Sequence, residues 1–232
     1  MEPGTSNPLL DLLRQRLPLY GYAAPSPEVL ATLAWYLELV IAANQRTRLV
    51  GDAAPEVLVD RHLGESLYLG QLVALHQQHL VDLGSGAGFP GLGLALAYPG
   101  LTTTLVESTA KKAAFLQSAV EALGLAGRVR VENRFLERRP PLTGPLAAEL
   151  VTVRALEKME QLPAWLGRHL AAGARSALWV SEPLAERWGR EHPDWSWSRF
   201  HRLPGARERG IVLAQPPDKI AKQLPNPGHC ST

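Results

Sequence analysis

Three sets of residues in this chain could carry chemistry. The densest is Asp82, Gly84, Ser85, Gly86, Ala87 and Gly88, followed by Phe89, where the apolar run from Leu80 to Leu83 leads into spaced glycines and then into a helix expected to start near Pro90. Glycines let the backbone turn tightly and approach a ligand, while a helix N-terminus offers unpaired N–H donors and positive potential. Together they point to a nucleotide-like cofactor. The dinucleotide fingerprint needs glycine at position 89, where this chain has Phe89, so a nicotinamide enzyme is disfavoured. Glu107 ends the next apolar run and precedes Ser108, a place from which a carboxylate can accept both hydroxyls of a ribose.

The second set is Arg154 and His62. Arg154 closes a later apolar run, at the strand end that borders the reaction centre in open α/β sheets, where an arginine can meet phosphate or base. Its competing role is an ion pair with Glu157 or another acid. His62 shares a helical face with Leu58 and Ser66, which suits a packed histidine as well as one lining a site. The third set is cationic: Lys111 and Lys112 early in a helix, and Arg128, Arg130, Arg134, Arg138 and Arg139 against Glu132 and Glu137. The arginine window reads either as a strip for an RNA backbone or as a solvated surface. Trp188, Trp195 and Trp197 read as packing residues, with base stacking as the alternative.

These residues need elements to position them. From position 79 short apolar runs alternate with helical periodicity: strands are expected at His79 to Leu83, Thr102 to Glu107, Val129 to Glu132, Leu150 to Arg154, Ser176 to Ser181, Trp195 to Leu203 and Gly210 to Gln215. Helices are expected near Pro90 to Tyr98, Thr109 to Leu123, Lys158 to Leu170 and Glu182 to Glu191. The fold class is therefore α/β, a Rossmann-like, seven-stranded and mostly parallel sheet. Only six residues, Pro204 to Arg209, join the last two strands, too few for a crossover helix, so the last strand is antiparallel. Ahead of this core, Ser26-Pro27-Glu28 starts a helix carrying Val29, Leu30, Leu33, Leu37, Val40 and Ile41, and a second helix runs from Pro55 through Leu69. The expected organisation is an N-terminal helical extension (1–78), a core (79–215) and a flexible tail (216–232).

Composition sets the outer limits. With 46% hydrophobic and 20% charged residues over 232 positions, the chain can bury a core, which excludes a disordered protein. Its only cysteine, Cys230, excludes a disulfide framework and a multi-thiolate metal site, and no metal is expected. No apolar run is long enough to span a bilayer, and Met1-Glu2-Pro3-Gly4 does not open a signal sequence, so a cytoplasmic protein without membrane contact is expected.

The glycine spacing resembles the first motif of S-adenosylmethionine-dependent methyltransferases of the Rossmann-like class I. The wider string Gly84-Ser85-Gly86-Ala87-Gly88-Phe89-Pro90-Gly91 resembles the GidB (RsmG) family of ribosomal RNA methyltransferases. Arg61-His62-Leu63 with Ser66, Glu107-Ser108 with Lys111-Lys112 and Phe115-Leu116, Asn133-Arg134, and Val153-Arg154-Ala155 are similar to further segments of that family, over roughly residues 28 to 215. The resemblance implies S-adenosylmethionine as cofactor, ribosomal RNA of the small subunit as partner, and methylation at guanine N7; a monomer is expected. It also implies Phe135 and Leu136 as cofactor contacts, Leu136 backing the adenine. Residue chemistry favours N7 separately. Methylation at pyrimidine C5 uses a cysteine adduct, and amino-group methylation of the N6-adenine type uses an Asn/Asp-Pro-Pro-aromatic string where this chain has Val153-Arg154-Ala155-Leu156. Arg48-Leu49-Val50, Ser181-Glu182 and Glu65 depart from the family's Asn-Leu-Thr, Lys-Gly and Asp. The first two motivate an alternative, a divergent member that binds cofactor and RNA with altered or lost methylation.

Overall fold

Apolar runs buried on both faces pair in parallel and are covered by helices. In the computed structural model, which describes residues 7–134, 146–155 and 161–217, β1 (His79–Leu83), β2 (Thr102–Glu107), β3 (Val129–Asn133), β4 (Leu150–Arg154) and β5 (Arg175–Ser181) form such a sheet. β8 (Arg209–Gln215) lies antiparallel between β5 and an edge made of β6 (Ser196–Trp197) and β7 (His201–Arg202). The order is β3-β2-β1-β4-β5-β8-β6, with β7 also on β8. Strand order reverses between β1 and β4, so the crevice outside their carboxyl ends is where this architecture takes a ligand.

The edge departs from expectation. In place of one strand from Trp195 to Leu203 there are two short ones. Ser198 interrupts the ladder because its hydroxyl accepts the Leu213 N–H at 2.9 Å while its own N–H donates to the Leu213 carbonyl. Taking β6 and β7 as one interrupted edge, the sheet has its seven expected strands. Trp188 and Trp195 are buried in the core on this side, so packing accounts for both.

Helices cover the two faces. On one lie α1 (Pro8–Arg16), α2 (Pro27–Asn44), α5 (Gly91–Ala97) and α6 (Ala110–Ala122), sharing a core through Leu13, Leu33, Leu37, Leu92 and Leu116. On the other lie α7 (Leu162–His169) and α8 (Glu182–Glu191), around Val151, Leu166, Leu178 and Trp188. Ser26 caps α2 at the Val29 N–H as its sequence requires. α1 has no counterpart in the sequence reading. Its start is set by Asn7, whose side chain accepts the Leu9 N–H at 3.0 Å, with Pro8 as the first helical residue.

The expected helix from Pro55 to Leu69 is continuous but not regular. α3 (Pro55–Val57) widens into a π-helical stretch (Leu58–Gly64), narrows to α4 (Glu65–Leu67) and ends in a 3-10 turn (Tyr68–Gln71). Wide turns of this kind free carbonyl groups and recur at functional sites. Pro216 and Pro217 are the only part of the expected tail among the described residues. No described helix is long and apolar enough to cross a membrane.

Candidate active site

β1 delivers the glycine loop at the switch point. Gly86 has φ +59°, and a Cβ built on it would face open space, its nearest neighbour the Gly84 carbonyl oxygen 3.8 Å away. Gly88, at φ +100°, is small for a different reason: a Cβ there would lie 2.7 Å from the Tyr36 hydroxyl. One glycine thus leaves room in front of the loop, and the other lets the protein close behind it.

Asp82 is that closure's anchor. It is fully buried, one carboxylate oxygen accepting the Thr152 hydroxyl at 2.7 Å and the other the Gly91 N–H at 3.1 Å. Burial raises its pKa from 3.8 to about 6, with the Thr152 hydrogen bond pulling the other way. Read from the sequence as a cofactor contact, Asp82 has both oxygens engaged by the protein. Ser85 donates its hydroxyl to the Asp82 carbonyl at 3.0 Å, and Ala87 is buried.

Glu107 fronts the loop from the end of β2. One oxygen accepts the Gly86 N–H at 2.9 Å and the other the Thr109 N–H at 2.7 Å, with the Ser108 hydroxyl at 3.5 Å. Each carboxylate oxygen has more than one acceptor direction, so the group can brace the loop and still accept a diol. The open volume at Gly86 and this carboxylate beside it fit a nucleoside-bearing cofactor.

Tyr36 was not singled out by sequence reasoning. It comes from α2, is fully buried, donates its hydroxyl to the Ala87 carbonyl at 2.8 Å and packs on Phe89 with ring centroids 5.2 Å apart. Its only signal is a polar-tipped ring on a buried face with Leu33, Leu37 and Val40. The His62 ring also packs on Phe89, with ring centroids 5.3 Å apart. Burial, then the positive charge of Arg154, lowers the His62 pKa from 6.5 to about 4, so the imidazole is neutral near pH 7.

Arg154, at the end of β4, donates to the carbonyls of Arg61 and His62 and to Glu65 at 2.8 Å. The other oxygen of Glu65 accepts from Arg209 at 2.8 Å, and the Glu65 carbonyl accepts the Trp179 indole N–H at 3.1 Å. Glu65 is only 3% exposed and Arg154 15%, so this Arg–Glu–Arg cluster has a buried centre, with Arg209 reaching it from the surface at 41% exposure. Burial raises the Glu65 pKa against the pull of both arginines. The "another acid" envisaged as an Arg154 partner is therefore Glu65; Glu157 lies outside the described residues.

The remaining candidates are dispersed. Lys111 is exposed on the first turn of α6. Arg130 pairs with Glu132, Arg134 lies 3.9 Å from the same acid, and Arg128 donates to the Leu101 carbonyl. Phe135, Leu136, Glu137, Arg138 and Arg139 lie outside the described residues. Glu182 pairs with Arg202 across the β5–β8 side, and Asn44 accepts the N–H groups of Leu49 and Val50.

Comparison with known proteins adds an independent line. The family model described as rRNA small subunit methyltransferase G, GidB, matches residues 29–185. The ribosomal RNA small subunit methyltransferase G of Solibacter usitatus is 38% identical over 151 residues, 65% of this chain and 70% of that one. The protein of the same name from Myxococcus xanthus is 35% identical over 182 residues, 74% and 82% of the two chains. Among solved structures, the precorrin-6y C5,15-methyltransferase of Geobacter metallireducens matches with a TM-score of 0.51 at 11% identity, over 74% of this chain and 92% of that one, a likeness of fold alone.

Proposed function

The chain belongs to the rRNA small subunit methyltransferase G family, and from that premise we propose that it transfers the methyl group of S-adenosylmethionine to N7 of a guanine in small-subunit ribosomal RNA. The observation that carries the reading is the open volume at Gly86 with the Glu107 carboxylate beside it. Gly84, Gly86 and Gly88 hold the loop, Glu107 takes the ribose hydroxyls, and Ser108 flanks it; Phe135 and Leu136, the further cofactor contacts that the family resemblance implies, lie outside the described residues. S-adenosylmethionine, when bound, supplies an electrophilic methyl group on a sulfonium.

Guanine N7 presents its lone pair at neutral pH. The protein's task is alignment and exclusion of water, with no obligatory general base. That agrees with a neutral His62 beside Phe89 and with Cys230 as the sole cysteine. His62 is the residue we place against the acceptor base. Arg154 holds the carbonyls of Arg61 and His62, one on either side of the His62 residue, and keeps further N–H groups for the acceptor.

The test is incubation with labelled S-adenosylmethionine and small ribosomal subunits that lack the modification, followed by nucleoside mass spectrometry. Label in 7-methylguanosine is expected; label in another nucleoside overturns N7, and none at all overturns the activity. Arg154→Ala is expected to leave cofactor affinity nearly unchanged and to slow transfer about tenfold or more per folded molecule, equivalent to about 1.4 kcal/mol of lost positioning. Arg154→Lys rescues only in part, because a point charge cannot reproduce a planar donor.

A further inference from the structure

A cleft of about 870 Å³, bordered by none of the glycine-loop residues, lies between the 3-10 turn Leu17–Tyr20, the π-helical stretch and the turn at 203–208 that joins β7 to β8. Four guanidinium groups line it, and they are not equivalent. Arg209 is bound to Glu65 at 2.8 Å and Arg16 lies 3.7 Å from Asp60, so these two belong to the wall. Arg61 and Arg207 are exposed, and their side chains form no ion pair or hydrogen bond among the described residues. Leu19, also lining the cleft, is 60% exposed, an apolar surface beside free cations.

That combination suits a nucleotide chain, which offers an anionic phosphate and a flat apolar base face within one repeat. The cleft also adjoins the candidate acceptor position. Glu65 is in its wall, and Arg154 ties Glu65 to the His62 carbonyl, whose ring lies on Phe89 of the loop.

We propose that this cleft holds the ribose-phosphate backbone of the RNA next to the target nucleotide, with Arg61 and Arg207 each meeting a phosphate. The inference rests on the ribosomal RNA reading above. Glu208 lines the same cleft, exposed and without a side-chain partner among the described residues, and its charge opposes the phosphates. The cleft therefore makes predictions of both signs.

Binding of a short single-stranded RNA oligonucleotide, read by fluorescence anisotropy over a salt series, tests this alongside steady-state methylation. Arg207→Glu is expected to weaken RNA binding about tenfold, to make the salt slope shallower by about one, and to raise KM for RNA while kcat and cofactor affinity stay as they were. Arg61→Gln acts in the same direction. Glu208→Gln tightens binding. Arg168→Glu, an equal charge change on α7 across the sheet, leaves it unchanged. Unaltered RNA binding and salt slope in both arginine variants overturns the cleft, as does an equal loss in Arg168→Glu, which would assign the effect to net charge. Oligonucleotide binding is read separately from transfer, so wild-type protein that methylates no ribosomal RNA rejects the functional reading, whereas normal transfer with unaffected variants rejects the cleft alone.

Discussion

At the β1–β2 end of the site, the bonds that hold the loop are short in sequence: Asp82 to Gly91 spans nine residues and Glu107 to Gly86 spans 21. At the β4–β8 end, Glu65 is gripped by Arg154 and Arg209, 89 and 144 residues away. The first end is built from backbone N–H groups and small residues around an open volume. The second is built on one carboxylate and one guanidinium withdrawn from water, Glu65 and Arg154, where a missing partner leaves a buried charge behind. Gly86 is therefore the place where a substitution changes ligand affinity with little cost to folding, and the cluster is the place where it costs stability first.

The largest effect that would confirm this contrast is at Gly86. Gly86→Val puts a branched side chain into the open volume at a backbone conformation costing about 1–2 kcal/mol for a non-glycine residue. Cofactor binding, read by calorimetry, is expected to vanish while the protein stays folded. Retained affinity would move the cofactor away from this loop.

Next comes Glu65→Ala, which strands Arg154 at 15% side-chain exposure. Denaturant unfolding is expected to show a loss of about 3 kcal/mol, the lower end for breaking a buried pair, since Arg209 is 41% exposed and can rehydrate. A loss under about 1 kcal/mol would reduce the cluster to an ordinary surface pair and remove the contrast.

Tyr36→Phe tests the loop from behind. It deletes one hydroxyl and leaves the buried Ala87 carbonyl without its partner, worth about 1–2 kcal/mol. If the hydroxyl positions the loop, cofactor affinity falls several-fold alongside a small drop in stability. A stability drop with unchanged affinity assigns Tyr36 to the core.

In the wild-type protein the net pH dependence is small, because two oppositely shifted groups work against one another. Asp82, raised from 3.8 to about 6, makes the folded state bind more protons than the unfolded one in that window; its stabilisation is complete below pH 3.8 and is lost as pH rises through 6. His62, lowered from 6.5 to about 4, stays neutral while the unfolded chain takes up a proton, so its contribution falls as pH drops from 6.5 towards 4. Relative to wild type, His62→Gln is expected to gain stability on acidification from pH 6.5 to 4, and Asp82→Asn to lose it. Denaturation midpoints across this range measure both, and parallel profiles for all three proteins would refute the assignment.

Much of this was legible from residue pattern. β1, β2 and β4 begin and end where their apolar runs do, α2 starts at Ser26, and the antiparallel last strand follows from a connection too short for a helix. α1 was missed although Asn7-Pro8 is a start signal, because the helix is only nine residues long. The single edge strand was wrong because a Ser198 hydroxyl can replace a backbone acceptor, which no propensity registers.

For the site, the sequence by itself determined where a glycine loop meets a carboxylate, since both depend on backbone freedom and spacing along adjacent strands. Tertiary structure alone decided that Asp82 faces inwards, that Tyr36 presses on the loop, that Glu65 is shared by two arginines, and that Arg61 and Arg207 border one cleft. Each of those facts joins segments far apart in the chain. Which charge is neutralised, and which is left free for a ligand, depends on distances that only folding creates.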